Sequence, residues 1–357
     1  MNEFENENFS NQASDENTAI AEAGKTGSLS YKTPVSTKKD RIFNWLRIFI
    51  SIALLALIMF KNLENFGKIR FALLNINYLL VILSILLYVF MLWVESLRWD
   101  VLLRAQGVRI HRAYLFHVMY IGFFYNNILP SDIGGDFFRI YDICKNKKAP
   151  ADKSASSVFL ERFFGLISII IFFAATSFSI YRLLKNYVIL ITVFLVMAVI
   201  MFILLAKPGL FKIDRIFKKF RKLQGIWIKI QSFSDAVMSY RKKIPQLILG
   251  LILNLVCQLI YTFIFYFVSK ALELNIGIST FAFMVPVTYV LSGIPISIGG
   301  LGVRENTIVF LLVSFGVLNE KAVVFSVIIL FIHIANGAIG GLIYLLRNLF
   351  FRTRGFI

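Results

Sequence analysis

The sequence predicts an all-α polytopic membrane protein arranged as an inverted repeat, with about six transmembrane helices and two re-entrant Pro/Gly-Gly hairpins. Three observations carry this expectation. The chain is 58% hydrophobic with a mean hydropathy of +0.74, well above a soluble domain. Apolar runs long enough to cross hydrocarbon recur along it. One motif occurs twice: Pro130-x-x-x-Gly134-Gly135-x-x-x-Arg139 and Pro295-x-x-x-Gly299-Gly300-x-x-x-Arg304, offset throughout by 165 positions (295 − 130, 299 − 134, 304 − 139). Pro, Gly-Gly and Arg are each unfavourable inside a lipid-facing helix, so their pairing in matching halves points to broken helices around a midplane site.

Residues 1–40 are polar and rich in Asn, Glu and Ser, which reads as a disordered tail. A single membrane domain, 41–350, should follow, with halves 41–178 and 187–346 and a basic cytoplasmic tail at 351–357. The best spans are 42–60, 76–94, 158–177, 188–206, 247–268 and 322–346. The first begins too late for a signal peptide and is expected to be an uncleaved anchor. The stretches 113–129 and 279–298 run into the two motifs.

The net charge of +18 fits loops lying on anionic lipid, and nucleic acid is not an expected partner. Basic residues cluster at Lys38, Lys39, Arg41 and Arg47, at Arg98, Arg104, Arg109 and Arg112, at Lys145, Lys147, Lys148 and Lys153, and at Arg347, Arg352 and Arg354. Residues 207–243 hold eleven Lys/Arg, with Ile213, Phe217, Phe220 and Trp227 at helical spacing, as in an amphipathic helix on the cytoplasmic leaflet. The positive-inside rule puts all of these, and both termini, in the cytoplasm; an inner (plasma) membrane is the expected location. Residues 96–112 and 140–153 can share that side only if 113–139 enters and returns. The second motif, whose return arm 306–317 is too short to span comfortably, would do the same from outside. The rival arrangement has two full extra spans in place of the hairpins.

Arg139 and Arg304 are the sharpest site candidates. The guanidinium offers a planar fork that matches phosphate, and broken helices expose backbone N–H groups that also bind anions. Gly134, Gly135, Gly299 and Gly300 let backbone bend and approach a ligand. Asn127 and Asp136 complete the substrate-binding set. Asp132, Glu161, Arg162 and Glu305 are candidates for cation or proton coupling, or for ion pairs that hold the hairpins. The bland alternative for each arginine is a headgroup or a local carboxylate. Asn126 suits capping of a broken helix end. His333, Asn336, Asn254 and Gln258 suit interhelical hydrogen bonds, and Gly337-x-x-x-Gly341 suits a packing face. Cys144 and Cys257 suggest neither a disulfide framework nor a metal site. No nucleophile elbow, zincin motif or Walker loop is present, so no enzyme activity and no cofactor are expected.

Arg98-Trp99, Leu102-Leu103, Gly107, Phe123-Phe124, Asn127, Leu129-Pro130-Ser131, Gly134-Gly135-Asp136, Arg139, Glu161-Arg162 and Pro295…Gly299-Gly300-Leu301-Gly302…Arg304-Glu305 together resemble the lysylphosphatidylglycerol synthase transmembrane-region family, also called flippase-like domain proteins. The resemblance covers roughly residues 40–350. In the multidomain synthases it implies movement of an aminoacylated lipid between leaflets, made by a separate soluble domain. With no such domain here, synthase activity is not expected. Relatives linked to glycosyltransferases extend the implied substrates to polyprenyl-phosphate carriers. The function expected is therefore flipping of an anionic lipid. The alternatives are a non-catalytic membrane partner of a glycosyltransferase or lipid-modifying enzyme, and a membrane transferase.

Overall fold

The computed structural model describes residues 38–61, 66–129, 134–176, 196, 224–294 and 296–353. Regular structure among them is helical: α1 Lys38–Lys61, α2 Phe66–Leu74, α3 Tyr78–Ala105, α4 Arg112–Ile128, α5 Gly134–Lys147, α6 Ala151–Thr176, α7 Gln224–Ser239, α8 Ile244–Ala271, α9 Ile278–Ser292, α10 Val303–Ser314 and α11 Asn319–Thr353. The described residues from Leu46 onward form one compact unit. The span expected at 188–206, apart from Val196, and the segment 207–223 lie outside the described residues, as do 1–37 and 354–357.

Helices α3, α6, α8 and the Asn319–Leu349 part of α11 are long and apolar enough to cross a membrane, while Trp45–Ile58 and α9 are shorter apolar helices. Their polarity is arranged for lipid. Leu79, Ile82, Leu86 and Phe90 form an exposed stripe along α3, and Ile248, Ile252, Leu259 and Phe263 one along α8. Such continuous apolar faces suit hydrocarbon, not water. Arg98, Asp136, Arg139, Glu161, Arg304 and Glu305 are turned inward and buried. Five of the six expected spans therefore fall on helices of the structure.

The 165-residue offset extends beyond the motifs. Shifting α3 by 165 gives 243–270, one residue from α8. Shifting α4 gives 277–293, against Ile278–Ser292 for α9. The shifted α5, 299–312, overlaps α10, and the shifted α6, 316–341, falls almost entirely within α11. Equivalent helices α3 and α8 lie against each other. Asn77 caps α3 by accepting from Leu79 N–H at 3.1 Å, and its own N–H donates to Ala271 O at 3.1 Å, joining the start of α3 to the end of α8. The apolar core is built mainly by α3, α8, α9 and α11. Within it, Phe281 and Phe325 stack with ring centres 5.8 Å apart.

Each motif interrupts the chain between two short helices. Around the first, α4 has 17 residues and α5 has 14. Around the second, α9 has 15 and α10 has 12. At 1.5 Å per residue these arms measure roughly 18–26 Å, short of the roughly 30 Å of hydrocarbon. Asn126 performs the expected capping: its Oδ1 accepts from Gly135 N–H at 2.6 Å, where α5 begins. Gly135 also lets α5 lie on α4, because a Cβ there would come within 2.1 Å of Gly122 O. In the second motif Gly299, Gly300 and Gly302 adopt φ of +52°, +71° and +82°, a region disfavoured for other residues. A Cβ on Gly299 would come within 2.9 Å of Asn126 O, so the second motif rests on the end of the helix broken by the first. Gly337, Gly340 and Gly341 bring α11 against α4 as the Gly-x-x-x-Gly spacing anticipates.

Candidate functional site

A cavity of about 240 Å³ opens between these helices, and both motif arginines line it. Arg139 comes from the first turns of α5, and Arg304 from the first turn of α10. Asn127, Asp136, Glu161, Arg162 and Gly299 line it as well. Gly134, Gly135 and Gly300 shape the breaks without lining the cavity, Glu305 stands behind Arg304, and Asp132 lies outside the described residues.

One wall is an ion network. Arg98 Nε donates to Glu161 Oε1 at 3.2 Å, and its Nη1 donates to Asn254 Oδ1. Arg139 Nη2 donates to Asp136 Oδ1 at 2.7 Å. Its Nη1 lies 2.9 Å from Glu161 Oε2, an ion contact without hydrogen-bond alignment. The guanidinium also sits 5.0 Å above the Trp99 ring. Arg162 Nε donates to Asp136 Oδ2 at 2.8 Å, and its Nη1 to Tyr289 OH at 3.2 Å. Asn254 Nδ2 donates to Ser168 Oγ at 2.7 Å. The network joins α3, α5, α6, α8 and α9. Buried ions of this kind are held by mutual pairing, and removing one partner leaves an uncompensated charge at a cost of about 3–5 kcal/mol.

Neighbours in sequence are not always partners here. Glu161 reaches Arg98 and Arg139, while Arg162 reaches Asp136. Arg304 and Glu305 do pair, because the first turn of a helix turns N3 back toward its start. Glu305 Oε1 accepts from Arg304 Nε at 2.9 Å, and Oε2 accepts from Gly302 N–H at 2.6 Å. The glutamate thus makes its half of a capping box, and glycine, having no side chain, leaves the other half unmade.

A third group faces the same space. His333 Nδ1 is 3.2 Å from Ile329 O, the donor side of the ring. Nε2 is then the acceptor, with Tyr88 OH at 3.3 Å and Tyr261 OH at 3.4 Å. Phe123 packs against Tyr88 with ring centres 5.3 Å apart. The interhelical bonding expected of His333, Asn336 and Asn254 is present; Asn336 Oδ1 accepts from Tyr120 OH at 3.2 Å.

Sequence reasoning missed three contributors. Tyr88 and Tyr261 lie in apolar runs with no motif around them to set them apart. Glu95, a lone carboxylate near the end of an apolar run, was passed over, although its spacing of seven from Tyr88 puts both on one face of α3. Arg98 requires a correction. It was grouped with cytoplasmic loop charges, but α3 continues to Ala105, and Arg98 is buried in the ion network. The hydrophobic run ends before the helix does.

The comparisons agree with this picture at the level of family. A UPF0104 membrane protein of Methanocaldococcus jannaschii is 29% identical over 174 residues, covering 46% of this chain and 50% of that protein. A UPF0104 membrane protein of Methanothermobacter thermautotrophicus is 24% identical over 159 residues, covering 41% and 47%. These matches span about half the length of the relatives. No solved structure matches the chain. The model of the lysylphosphatidylglycerol synthase transmembrane region matches residues 44–341, well over half of the chain, and this multi-pass membrane protein belongs to that family.

Proposed function

We propose that this protein moves the headgroup of an anionic lipid, a phospholipid or a polyprenyl-phosphate-linked carrier, between membrane leaflets. The observation that carries the reading is the sharing of one cavity by Arg139 and Arg304, from two helix-breaking motifs 165 residues apart. At roughly 30 Å³ per water the cavity holds about eight waters. That is room for a phosphate and a small substituent, with the acyl or prenyl chains left in hydrocarbon. The arrangement avoids taking a bare charge through the bilayer centre. In this reading the two motifs are re-entrant hairpins and the halves an inverted repeat in the plasma membrane, with both termini cytoplasmic. The short arms beside each motif and the repeating helix boundaries support it.

The roles divide unequally. Arg139 is engaged by Asp136 and Glu161, which makes it chiefly a keystone of the wall. Arg304 has one carboxylate partner among the described residues and is the main phosphate ligand. Glycosyltransferases or lipid-modifying enzymes would be partners that supply or use the lipid, and the chain itself carries out no catalysis.

Leaflet-resolved flipping in proteoliposomes, with fluorescent phosphatidylglycerol, polyprenyl phosphate and phosphatidylcholine, tests the proposal. An anionic probe should move faster than in protein-free vesicles, and Arg304→Ala should remove the difference. Flipping of every anionic probe at the protein-free rate would overturn it in favour of a non-transporting membrane partner.

A further inference from the structure

We infer that Glu95, Gln258 and Thr288 form a hydroxyl-binding subsite, so that the headgroup carries a polyol, glycerol or a sugar, beyond its phosphate. The inference rests on the proposed lipid reading and deepens it by naming the headgroup chemistry. All three residues line the cavity. Gln258 Nε2 and Thr288 Oγ1 are buried, with no hydrogen-bond partner among the described residues. Glu95 is half-buried and makes no hydrogen bond or ion pair there. A buried polar group without a partner is destabilising, and a fold keeps it where a ligand or water supplies the missing bond.

The subsite follows from the packing of α3 on α8. The two helices run antiparallel, since the start of α3 meets the end of α8. Tyr88 faces Tyr261, with ring centres 6.1 Å apart, and further along α3 Arg98 meets Asn254. Glu95 and Gln258 fall between those two levels, and Thr288 joins them from α9. Groups at either level are engaged: Tyr88 and Tyr261 with His333, Asn254 with Arg98 and Ser168. The interhelical bond that spacing suggests for Gln258 is not made by its Nε2. Thr176, Thr262 and Thr307 return their hydroxyls to the carbonyl four residues back, at 2.6, 2.9 and 2.7 Å, whereas the Thr288 hydroxyl is not spent on its own helix.

The set mixes a donor, Gln258 Nε2, a group that donates and accepts, Thr288 Oγ1, and an acceptor, the Glu95 carboxylate. A hydroxyl also donates and accepts, so neighbouring hydroxyls satisfy all three. A second phosphate offers acceptors only and would oppose Glu95. An ammonium offers donors only and would leave Gln258 Nε2 unpaired. Binding forms hydrogen bonds, and no covalent bond changes.

The test is calorimetric titration of the full-length protein in detergent with two pairs of lipids, each matched in charge and differing in hydroxyls. One pair is dihexanoyl phosphatidylglycerol and dihexanoyl phosphatidylpropanol; the other is farnesyl phosphoryl glucose and farnesyl ethyl phosphate. In at least one pair the hydroxylated lipid should bind about tenfold tighter or more, because its counterpart leaves the subsite unsatisfied. Discrimination in the first pair names glycerol, and in the second a sugar. Gln258→Leu combined with Thr288→Val should bring the ratio toward one. That variant should melt no lower than wild type, since neither Nε2 nor Oγ1 has a partner to lose. Thr288→Val alone, nearly the same in shape, should still reduce the ratio and serves if the double variant fails to fold. Equal wild-type affinity within both pairs overturns the inference and leaves water as the occupant. A wild-type ratio in the folded double variant overturns it as well. Tighter binding of dihexanoyl phosphatidylethanolamine than of phosphatidylglycerol overturns it in favour of an ammonium at Glu95. Absence of binding by every anionic probe overturns the lipid reading, and the subsite falls with it.

Discussion

The two copies of the motif share a backbone plan but differ in chemistry. In the first, Arg139 touches two carboxylates, a methionine sulfur and the face of Trp99. In the second, Arg304 meets Glu305. The positions equivalent to Asp136 and Glu161, shifted by 165, are Leu301 and Ser326. Both halves thus carry the arginine, with two carboxylates against it in the first and one in the second. A guanidinium held by two carboxylates is chiefly a structural tie; one held by a single carboxylate at a cavity wall has donors left for an anion.

The largest effect expected from this contrast is on stability. Glu161→Ala leaves Arg98 and Arg139 short of a counter-ion, and should destabilise the protein by about 3–5 kcal/mol in denaturant or thermal melts. Glu305→Ala should cost less, because it strands one guanidinium where Glu161→Ala strands two. Equal losses would erase the distinction between the two halves.

Next comes function. Arg304→Ala should weaken binding of a phosphatidylglycerol probe about 100-fold, or about 2.8 kcal/mol, and should lower the melting temperature less than Arg139→Ala, because it strands one buried carboxylate, Glu305, where Arg139→Ala strands two. Glu305 keeps its bond to Gly302 N–H in that variant. Arg139→Ala should lower the melting temperature as well as transport. A stable, inactive Arg139→Ala beside an active Arg304→Ala would reverse the assignment of roles.

Smaller is the difference between the glycines. Gly135→Ala drives a methyl to within 2.1 Å of a carbonyl oxygen, whereas at Gly299 the approach is 2.9 Å, to Asn126 O. Overpacking of this kind costs about 1–3 kcal/mol, and Gly135→Ala should lie at the upper end in the same melts. The smallest change is Arg304→Lys. Lysine keeps the charge but loses the fork, so binding should fall by about fivefold, with partial flipping retained.

What the sequence made legible was what local pattern determines. Apolar runs located five of the six expected spans on helices, and the Pro and Gly-Gly spacing located both chain breaks. The capping by Asn126 and the glycine face on α11 followed from residue type and spacing. Apart from the Asp136–Arg139 pair within α5, the ion network was not legible, because its pairs cross helices. Glu161 lies next to Arg162 in sequence, yet it bonds to Arg98, 63 positions away. Arg98 itself was misplaced because hydropathy marks where lipid contact ends, not where a helix ends. Glu95 was overlooked for the opposite reason: an isolated charge near a span end looks like an interfacial residue until the tertiary fold turns it inward.

The resting of Gly299 on Asn126 and Asn127 has a mechanical consequence. Backbone meets backbone there with no side chain between, and the gap is smaller than a methyl group. The two breaks thus share one bearing, and neither can shift toward the other without pushing it. Rocking of one half against the other would turn on that point, as a door turns on its pin. A single methyl at Gly299 would act as a wedge at that bearing, pressing on Asn126 O and on the cavity wall that Gly299 lines.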